Sequence, residues 1–392
     1  MIADRAPSDG RTTAPLTRDA VDTRTTTLYR CRAQDWIAAR RPRSIEDGRL
    51  AEFLHRTDAD TLIVDVGCGP GWNAAWMEQH GRRVIALDVS EAMLAQSRGS
   101  GARLLCGDAA TLPLRDRSLG GAWAKDCYQH LPRTQLPLAL AHLHRALMAG
   151  APLELTLAVL DERHRPTRTE RLRGEAERRS RRRPMPGRLF SLHTHSRVVD
   201  LMTGAGFDEL SVSAHDEFWW RIRGRRALTL PDLVGPGLRL LICGLNPSIY
   251  SAERGIAFAR PGNRFWPAMK AAGLIDRERD PLHAFERGIG LTDIVKRASA
   301  SADELTSAEY SAGLERIERV VRLHRPAAVC FVGLDGWRRA IDRRAQPGWQ
   351  AGRFGGRPVY LMPSTSGRNA RTPPGELAAH LRAAAGSSGN RR

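Results

Sequence analysis

Lysine is almost missing from this chain. Of its 61 basic residues, all but Lys125, Lys270 and Lys296 are arginines, and they outnumber 43 acidic residues to give a net charge of +18. So uniform a choice of arginine reads as codon bias, but the excess itself favours polyanionic partners, nucleic acid above all. Cysteine is sparse too. Cys31, Cys68, Cys106, Cys127, Cys243 and Cys330 form no C-x-x-C pair, and several sit in apolar, strand-like stretches. That argues against a structural zinc or iron–sulfur centre and for a reducing compartment, so no metal is expected. No apolar run approaches the roughly 20 residues that span a bilayer, so no membrane partner is expected. The opening segment, 1–27, is polar and has no apolar stretch of the kind a secretory signal carries. It reads as a disordered lead-in to a cytoplasmic, nucleoid-associated protein, as 387–392 reads as a disordered tail.

What is present is an ordinary 42% apolar content over 392 residues, enough for two domains with sizeable cores. In the first half, short β-rich runs are expected at Thr61–Val66, Arg83–Leu87, Ala102–Cys106, Gly121–Lys125 and Pro152–Val159. Between them lie helical stretches at Trp72–His80, Glu91–Ser97 and Gln135–Leu147, the second capped by Ser90. A last helix is read over Leu192–Phe207 and a strand over Glu209–Ser213. Strands alternating with helices imply a doubly wound parallel sheet.

The first run ends in Asp65-Val-Gly-Cys-Gly-Pro-Gly71. Glycines at 67, 69 and 71 let a backbone approach a ligand closely, but G-x-G-x-G suits a dinucleotide pyrophosphate poorly. Asp88 ends the second run, 17 residues after Gly71, where a carboxylate can take both hydroxyls of a ribose. Asp108, in Gly107-Asp-Ala109, follows the third and could accept from an adenine amino group. Together these describe a nucleoside cofactor without phosphates. The set resembles the class I S-adenosylmethionine-dependent methyltransferases over about residues 30–215. The resemblance implies S-adenosylmethionine as cofactor, bound through Asp65, Gly67, Gly69, Gly71, Asp88, Asp108 and Ala109. It also places the segment Asp126–Pro132, with Tyr128 and His130, where a methyl acceptor of unknown identity would approach. Methyl transfer depends mainly on in-line positioning, so no obligatory catalytic residue is required. The arginine-dense stretch Arg163–Arg188 lies where this fold often inserts a lid; a solvated charged helix and a phosphate-contacting surface both remain open.

Arg221–Gly237 turns Arg-rich, then carries Pro231, Gly235, Pro236 and Gly237, and is read as a junction. A new β/α pattern follows. The apolar run at Leu238–Cys243 ends in Gly244-Leu-Asn-Pro-Ser248, which presents one amide, Asn246, fixed by Pro247. An amide cannot act as a base, but it can hold a water. After a helix at Arg264–Ala272 comes a loop with Gly288 and Gly290, then a helix at Ser307–Val321 and a strand at Ala327–Val332. A further helix starts at Trp337–Ile341. The strand Val359–Met362 leads into Pro363-Ser-Thr-Ser-Gly-Arg368, and Pro374–Ala385 is the last helix. Loops at the carboxyl ends of parallel strands are where open α/β sheets bind ligands.

Gly244–Pro247, Gly255–Trp266, Gly290–Asp293 and Met362–Arg368, in that order, resemble the mismatch-specific uracil/thymine-DNA glycosylases across residues 230–385. The resemblance gives Asn246 the water-positioning role, with Gly244, Leu245, Phe258, Asn263 and Ser364 around the base. Phe258 would stack on the flipped pyrimidine. Thr365, Ser366, Gly367 and Arg368 would grip the backbone, with Arg368 as the wedge that fills the vacated stack. Extrusion is least costly at a mispair, which selects G·U or G·T sites in double-stranded DNA. Two departures bear on substrate. Ser248 replaces a common Gly and could narrow the pocket, and Ala257 precedes Phe258 where thymine-active members can carry a polar residue, so uracil and small lesions are favoured over thymine.

The fold class expected is α/β: an N-terminal doubly wound, Rossmann-like methyltransferase sheet over 28–223, a linker over 224–236, and a C-terminal three-layer α/β/α uracil-DNA glycosylase-like domain over 237–386. The expected function is bifunctional, base excision from mispairs together with methyl transfer. Two other readings stand beside it: a non-catalytic sensor of DNA damage, and a nucleic-acid methyltransferase that uses the second half only for targeting.

Overall fold

A computed structural model describes residues 22–40, 47–159, 177–179, 185–215, 219–369 and 371–386. Among these, strands gather into two sheets. The first contains β1 (Leu62–Val66), β2 (Arg83–Asp88), β3 (Arg103–Cys106), β4 (Gly121–Ala124), β5 (Pro152–Val159), β6 (Glu177–Arg179), β7 (Leu189–His193), β8 (Phe207–Ala214) and β9 (Trp219–Arg226). Its order is β3-β2-β1-β4-β5-β7-β6, with β9 pairing antiparallel to both β5 and β8. Strands β1 to β5 are parallel, and their order reverses between β1 and β4, where ligands sit in such sheets. The second sheet contains β10 (Leu240–Gly244), β11 (Ile289–Asp293), β12 (Val329–Val332), β13 (Gly348–Phe354) and β14 (Arg357–Met362). Its order is β11-β10-β12-β14-β13, parallel except for the edge strand β13. Apolar side chains pack on both faces of each sheet. The α/β expectation therefore holds for both halves.

Several elements differ from the sequence reading. Helix Thr23–Cys31 begins inside the stretch expected to be a disordered lead-in, and its Thr25 is buried, accepting the Leu189 N–H at 2.8 Å. Residues 1–21 and 387–392, also expected to be disordered, lie outside the described residues. The helix read over Leu192–Phe207 starts at His195, capped by the Thr194 hydroxyl, because Leu189–His193 is strand β7. Most of Arg163–Arg188 is outside the described residues; its Glu177–Arg179 portion is strand rather than helix.

The Arg-rich opening of the expected junction is strand β9. Its arginines alternate, and those facing one way meet carboxylates. Arg221 bonds the buried Glu154 at 2.8 Å and Glu52 at 2.7 Å, and Arg225 bonds Glu209 at 3.1 Å. Part of the basic excess is thus spent inside the fold. The segment after β9 is not a free linker. Leu230, Asp232, Leu233 and Val234 are buried, and Leu233 pairs with Leu291 on the edge of the second sheet. Strand β11 occupies what was read as a Gly loop. Gly290 is there because a Cβ would come within 2.9 Å of the Leu233 carbonyl oxygen.

The two halves are packed together. Helix Leu136–Ala146 presents Leu136, Ala139, Leu140 and Leu143 to the first core, while Ala141 belongs to a core cluster of the second. Asp232 forms the polar counterpart. It accepts Lys296 Nζ at 2.9 Å and Thr292 Oγ1 at 2.7 Å on one oxygen and Arg316 on the other, while its N–H donates to the Gly204 carbonyl at 2.8 Å. Burial alone would raise this carboxyl, but Arg316 and Lys296 more than offset it and hold it below the usual carboxylate range. Removing one member of a buried charge group strands the others, so Asp232→Ala should cost about 3–5 kcal/mol in urea unfolding at neutral pH. A depressed carboxyl stabilises above its unfolded pKa of about 3.9, and that contribution fades as pH falls. The gap between wild type and variant should therefore shrink in acid.

Candidate functional site

The glycine loop after β1 turns through three left-handed residues, with φ of +67° at Gly67, +55° at Gly69 and +74° at Gly71. A Cβ at Gly67 would strike Cys127 Sγ at 2.5 Å, and one at Gly71 would strike Ser97 Oγ at 2.1 Å. Gly69 is different: a Cβ there meets only Trp36, 4.0 Å away. Two glycines thus serve packing and the middle one leaves open space. Asp88 buttresses that turn, with Oδ2 accepting Gly69 N–H at 2.8 Å and Oδ1 accepting Ser90 N–H at 2.9 Å. Burial pushes the Asp88 carboxyl up against these bonds, and each oxygen retains a lone pair. Asp65 is fully buried with Oδ2 unpartnered in the structure, and burial, with Asp88 nearby, raises its carboxyl to about 7. Asp108 accepts Ala110 N–H at 2.8 Å, and Ala109 packs on the first core. An open backbone turn beside carboxylates with spare acceptor capacity fits a cationic nucleoside cofactor.

Tyr128 is fully buried with its hydroxyl unpartnered, and burial pushes its pKa well up. His130 bonds the Leu189 carbonyl at 2.7 Å through Nδ1 and Tyr29 Oη at 3.0 Å through Nε2. A carbonyl can only accept, so Nδ1 carries the proton, and burial lowers the ring to about 4. Both ring nitrogens are therefore occupied by the protein. Arg188 donates to Tyr29 Oη at 3.0 Å and lies over the Tyr29 and Phe190 rings. Tyr29 and Arg188 were missed in the sequence, since the helix that carries Tyr29 sits 101 residues from His130.

In the second half, β10 delivers Gly244, where a Cβ would lie 2.4 Å from Asp293 Oδ1 and 3.3 Å from Phe258 Cζ. Asn246 Nδ2 lies 2.8 Å from Ser299 Oγ and 3.1 Å from each of the Pro247 and Arg297 carbonyls, three acceptors that share its two N–H groups. All of these bonds run through nitrogen, which leaves the amide oxygen as the acceptor. Leu245 packs on the second half's core, and its carbonyl accepts the Val295 N–H at 2.9 Å. Phe258 holds a left-handed φ of +55° and stacks on Phe265 at 4.0 Å. A bulky side chain in that region is strained, and such strain gathers at functional sites. The Ser248 hydroxyl caps helix Ile249–Arg254 by accepting Ser251 N–H at 3.2 Å. Asn263 Oδ1 accepts Phe265 N–H at 3.0 Å.

The loop after β14 meets the loop before Phe265 directly. A Cβ at Gly367 would lie 3.0 Å from the Gly262 carbonyl oxygen. Ser364 Oγ accepts Ser366 N–H at 3.2 Å, Ser366 Oγ accepts Arg368 N–H at 3.3 Å, Thr365 is buried, and the Arg368 side chain is exposed. Two residues without an assigned role in the sequence complete the site. Asp293 ends β11, and burial lifts its carboxyl to about 6, Lys296 opposing and Asp232 adding. Arg264 donates to the Thr372 carbonyl at 2.6 Å and to the carbonyls of Asn369 and Ser366, bracing the Arg368 loop. Among the described residues no group of three or more His, Cys, Asp or Glu could hold a metal, and no helix is long and apolar enough to cross a membrane.

Two open α/β sheets, each with loops at the carboxyl ends of its parallel strands, offer two candidate sites. The uracil DNA glycosylase superfamily matches residues 231–384, and a methyltransferase domain matches residues 63–150. The chain therefore joins a methyltransferase domain to a domain of the uracil DNA glycosylase superfamily. Similar solved structures include an S-adenosylmethionine-dependent methyltransferase from Methanosarcina mazei, 18% identical over 45% of this chain and 97% of that one, TM-score 0.39. Another is the Burkholderia thailandensis 1,6-didemethyltoxoflavin-N1-methyltransferase, bound to 1,6-didemethyltoxoflavin and S-adenosylhomocysteine, at 20% identity over 57% and 94%, TM-score 0.40. A third is the Haemonchus contortus phosphoethanolamine N-methyltransferase 2, at 14% identity over 46% and 52%, TM-score 0.36.

Arg264→Ala leaves at least two carbonyls of the Arg368 loop without a charged donor. Each such bond is worth about 1.5–3 kcal/mol. The variant should stay folded but lose amide-exchange protection across 364–372, measured by mass spectrometry.

Proposed function

We propose that the second domain hydrolyses the N-glycosidic bond of a mispaired pyrimidine in duplex DNA, uracil opposite guanine first, and so serves base excision repair. The observation that carries the reading is the Asn246 amide, held through its nitrogen, which leaves its oxygen to act as an acceptor. A flipped nucleotide would rest its base on Phe258 while Arg368, on its exposed loop, fills the vacated stack. As the bond breaks, its electron pair leaves with the base and positive charge develops on the sugar. A water held by the Asn246 oxygen then adds to the sugar carbon, and its proton passes to the departed base anion, which leaves as the neutral pyrimidine. The amide orients that water and takes no proton, which predicts slow turnover.

For the first domain we propose methyl transfer, with Asp88 taking ribose hydroxyls, Asp108 the adenine amino group and the Gly69 turn admitting the cofactor. S-adenosylmethionine, when bound, supplies a methyl group on a cationic sulfur. The buried Asp65 carboxyl offers the compensating charge, and the Tyr29–His130–Arg188 chain shapes the acceptor side without lending a base.

A 5′-labelled duplex with one G·U pair, treated with the protein and then alkali, should be cut at that site; an intact strand at protein excess rejects the reading. Asn246→Ala should slow release about a hundredfold or more while duplex binding persists. Asp293 adds a pH dependence. Its carboxyl is neutral below about 6 and charged above, and a negative neighbour opposes a departing anionic base. Release should therefore slow as pH rises through 6, and Asp293→Asn should flatten the profile. Binding of S-adenosylmethionine should raise the melting temperature, and Asp88→Ala should abolish that rise.

A further inference from the structure

Between the two domains lies a cavity of about 320 Å³. Most of its wall comes from the second domain, and it includes Phe258, Asp293, Arg254 and Arg279. The segment after β9 adds Leu230, Pro231 and Leu233, and the first domain adds Asp116 and Arg145. Arg145 lies at the C-terminal end of helix Leu136–Ala146, the helix shared by both cores, and its guanidinium reaches both Asp116 oxygens at 3.1 Å. Beside Asp116, Arg117 Nη2 comes 3.7 Å from where a Cβ on Gly255 would stand. Of the residues assigned to the base pocket only Phe258 lines the cavity, and it shares with Asp293, also in the wall, a close approach to Gly244, two residues before Asn246. Three residues in its surroundings hold left-handed backbones: Phe258 and Arg279 in the wall and Arg117 behind Gly255, at φ of +55°, +57° and +53°. Non-glycine residues in this region persist only where packing over-determines them.

We propose that the glycosylase pocket is composite, with the Arg145–Asp116 pair of the methyltransferase domain forming its outer wall and fixing how an extruded pyrimidine is held against Phe258. The inference rests on the glycosylase reading. The pair is partly exposed and bound mainly to itself, with side-chain exposures of 31% and 57%, so it does not hold either core together. It acts on the base by closing the space in which the base sits, which makes both residues positioning residues. Loss of the wall widens the pocket and lets the base sit out of line with the water on Asn246. Neither residue belongs to the proposed cofactor site, so methyl-donor binding is untouched.

The test uses the full chain and a duplex with one G·U pair. Arg145→Ala and Asp116→Ala should each raise KM for base release about tenfold, with a smaller change in kcat, since positional looseness of this size carries such a cost. Melting temperature and the S-adenosylmethionine-induced rise should stay at wild-type values. Arg145→Lys should recover part of the loss, and the exchanged pair Arg145→Asp with Asp116→Arg should recover more than either single change. Wild-type kinetics in both alanine variants would overturn the proposal while leaving the glycosylase reading intact. Absence of base release by the wild-type protein would overturn the reading itself. A KM rise accompanied by a fallen melting temperature in both alanine variants and no recovery in the exchanged pair would assign the pair a structural role and also overturn the proposal.

Discussion

A single buried carboxylate, Asp232, sets how the two sheets meet. It lies in the short segment after β9, yet bonds Lys296, Thr292 and Arg316 of the second domain and, through its own N–H, the Gly204 carbonyl of the first. Burying one negative and two positive groups is tolerable only because the carboxylate's bonds are all made. Arg316 also donates to the Asp293 carbonyl at 2.7 Å. The group that joins the domains therefore also fixes the end of β11, and with it one wall of the cavity beside Phe258.

Both sites use one device, a turn at a strand end from which side chains have been removed selectively. Gly67 and Gly71 are bare because Cys127 and Ser97 occupy the space, and Gly244 because Asp293 and Phe258 do. Gly69 alone is bare toward open space. The functional groups stand one step further out, and each is oriented by the half of its hydrogen-bonding capacity that the protein uses. Asn246 is fixed through its nitrogen, Asp88 through backbone N–H groups from either side of it, and His130 through both ring nitrogens. The unused half defines what each can offer a ligand.

The parallel strands β1 to β5 and β10, β12 and β14 were legible from the sequence because each is a short apolar run bounded by Gly or Asp. What was not legible had contrary local chemistry. β9 reads as a charged junction because alternating arginines mask its period, and only the partners Glu52, Glu154 and Glu209, far off in sequence, explain them. β11 carries a glycine whose reason is the Leu233 carbonyl, a contact no local window contains. Arg264 and Tyr29 could not be found for the same cause: their roles come from carbonyls and rings over a hundred residues away. The roles given to Ser248 and Asn263 came from position, and no sequence reading showed that the Ser248 hydroxyl also caps a helix or that Asn263 Oδ1 also takes the Phe265 N–H.

Helix Leu136–Ala146 carries a consequence for the history of the chain. A helix whose one face fills the first core and whose Ala141 fills the second leaves only Leu138, His142 and Arg145 partly open to water. Severing the halves would lay bare an oily stripe on each fragment. Such a joint cannot be inherited as two interchangeable modules on a tether; once formed, it obliges both enzymatic halves to drift as one body, each substitution on that helix answering to two neighbours at once.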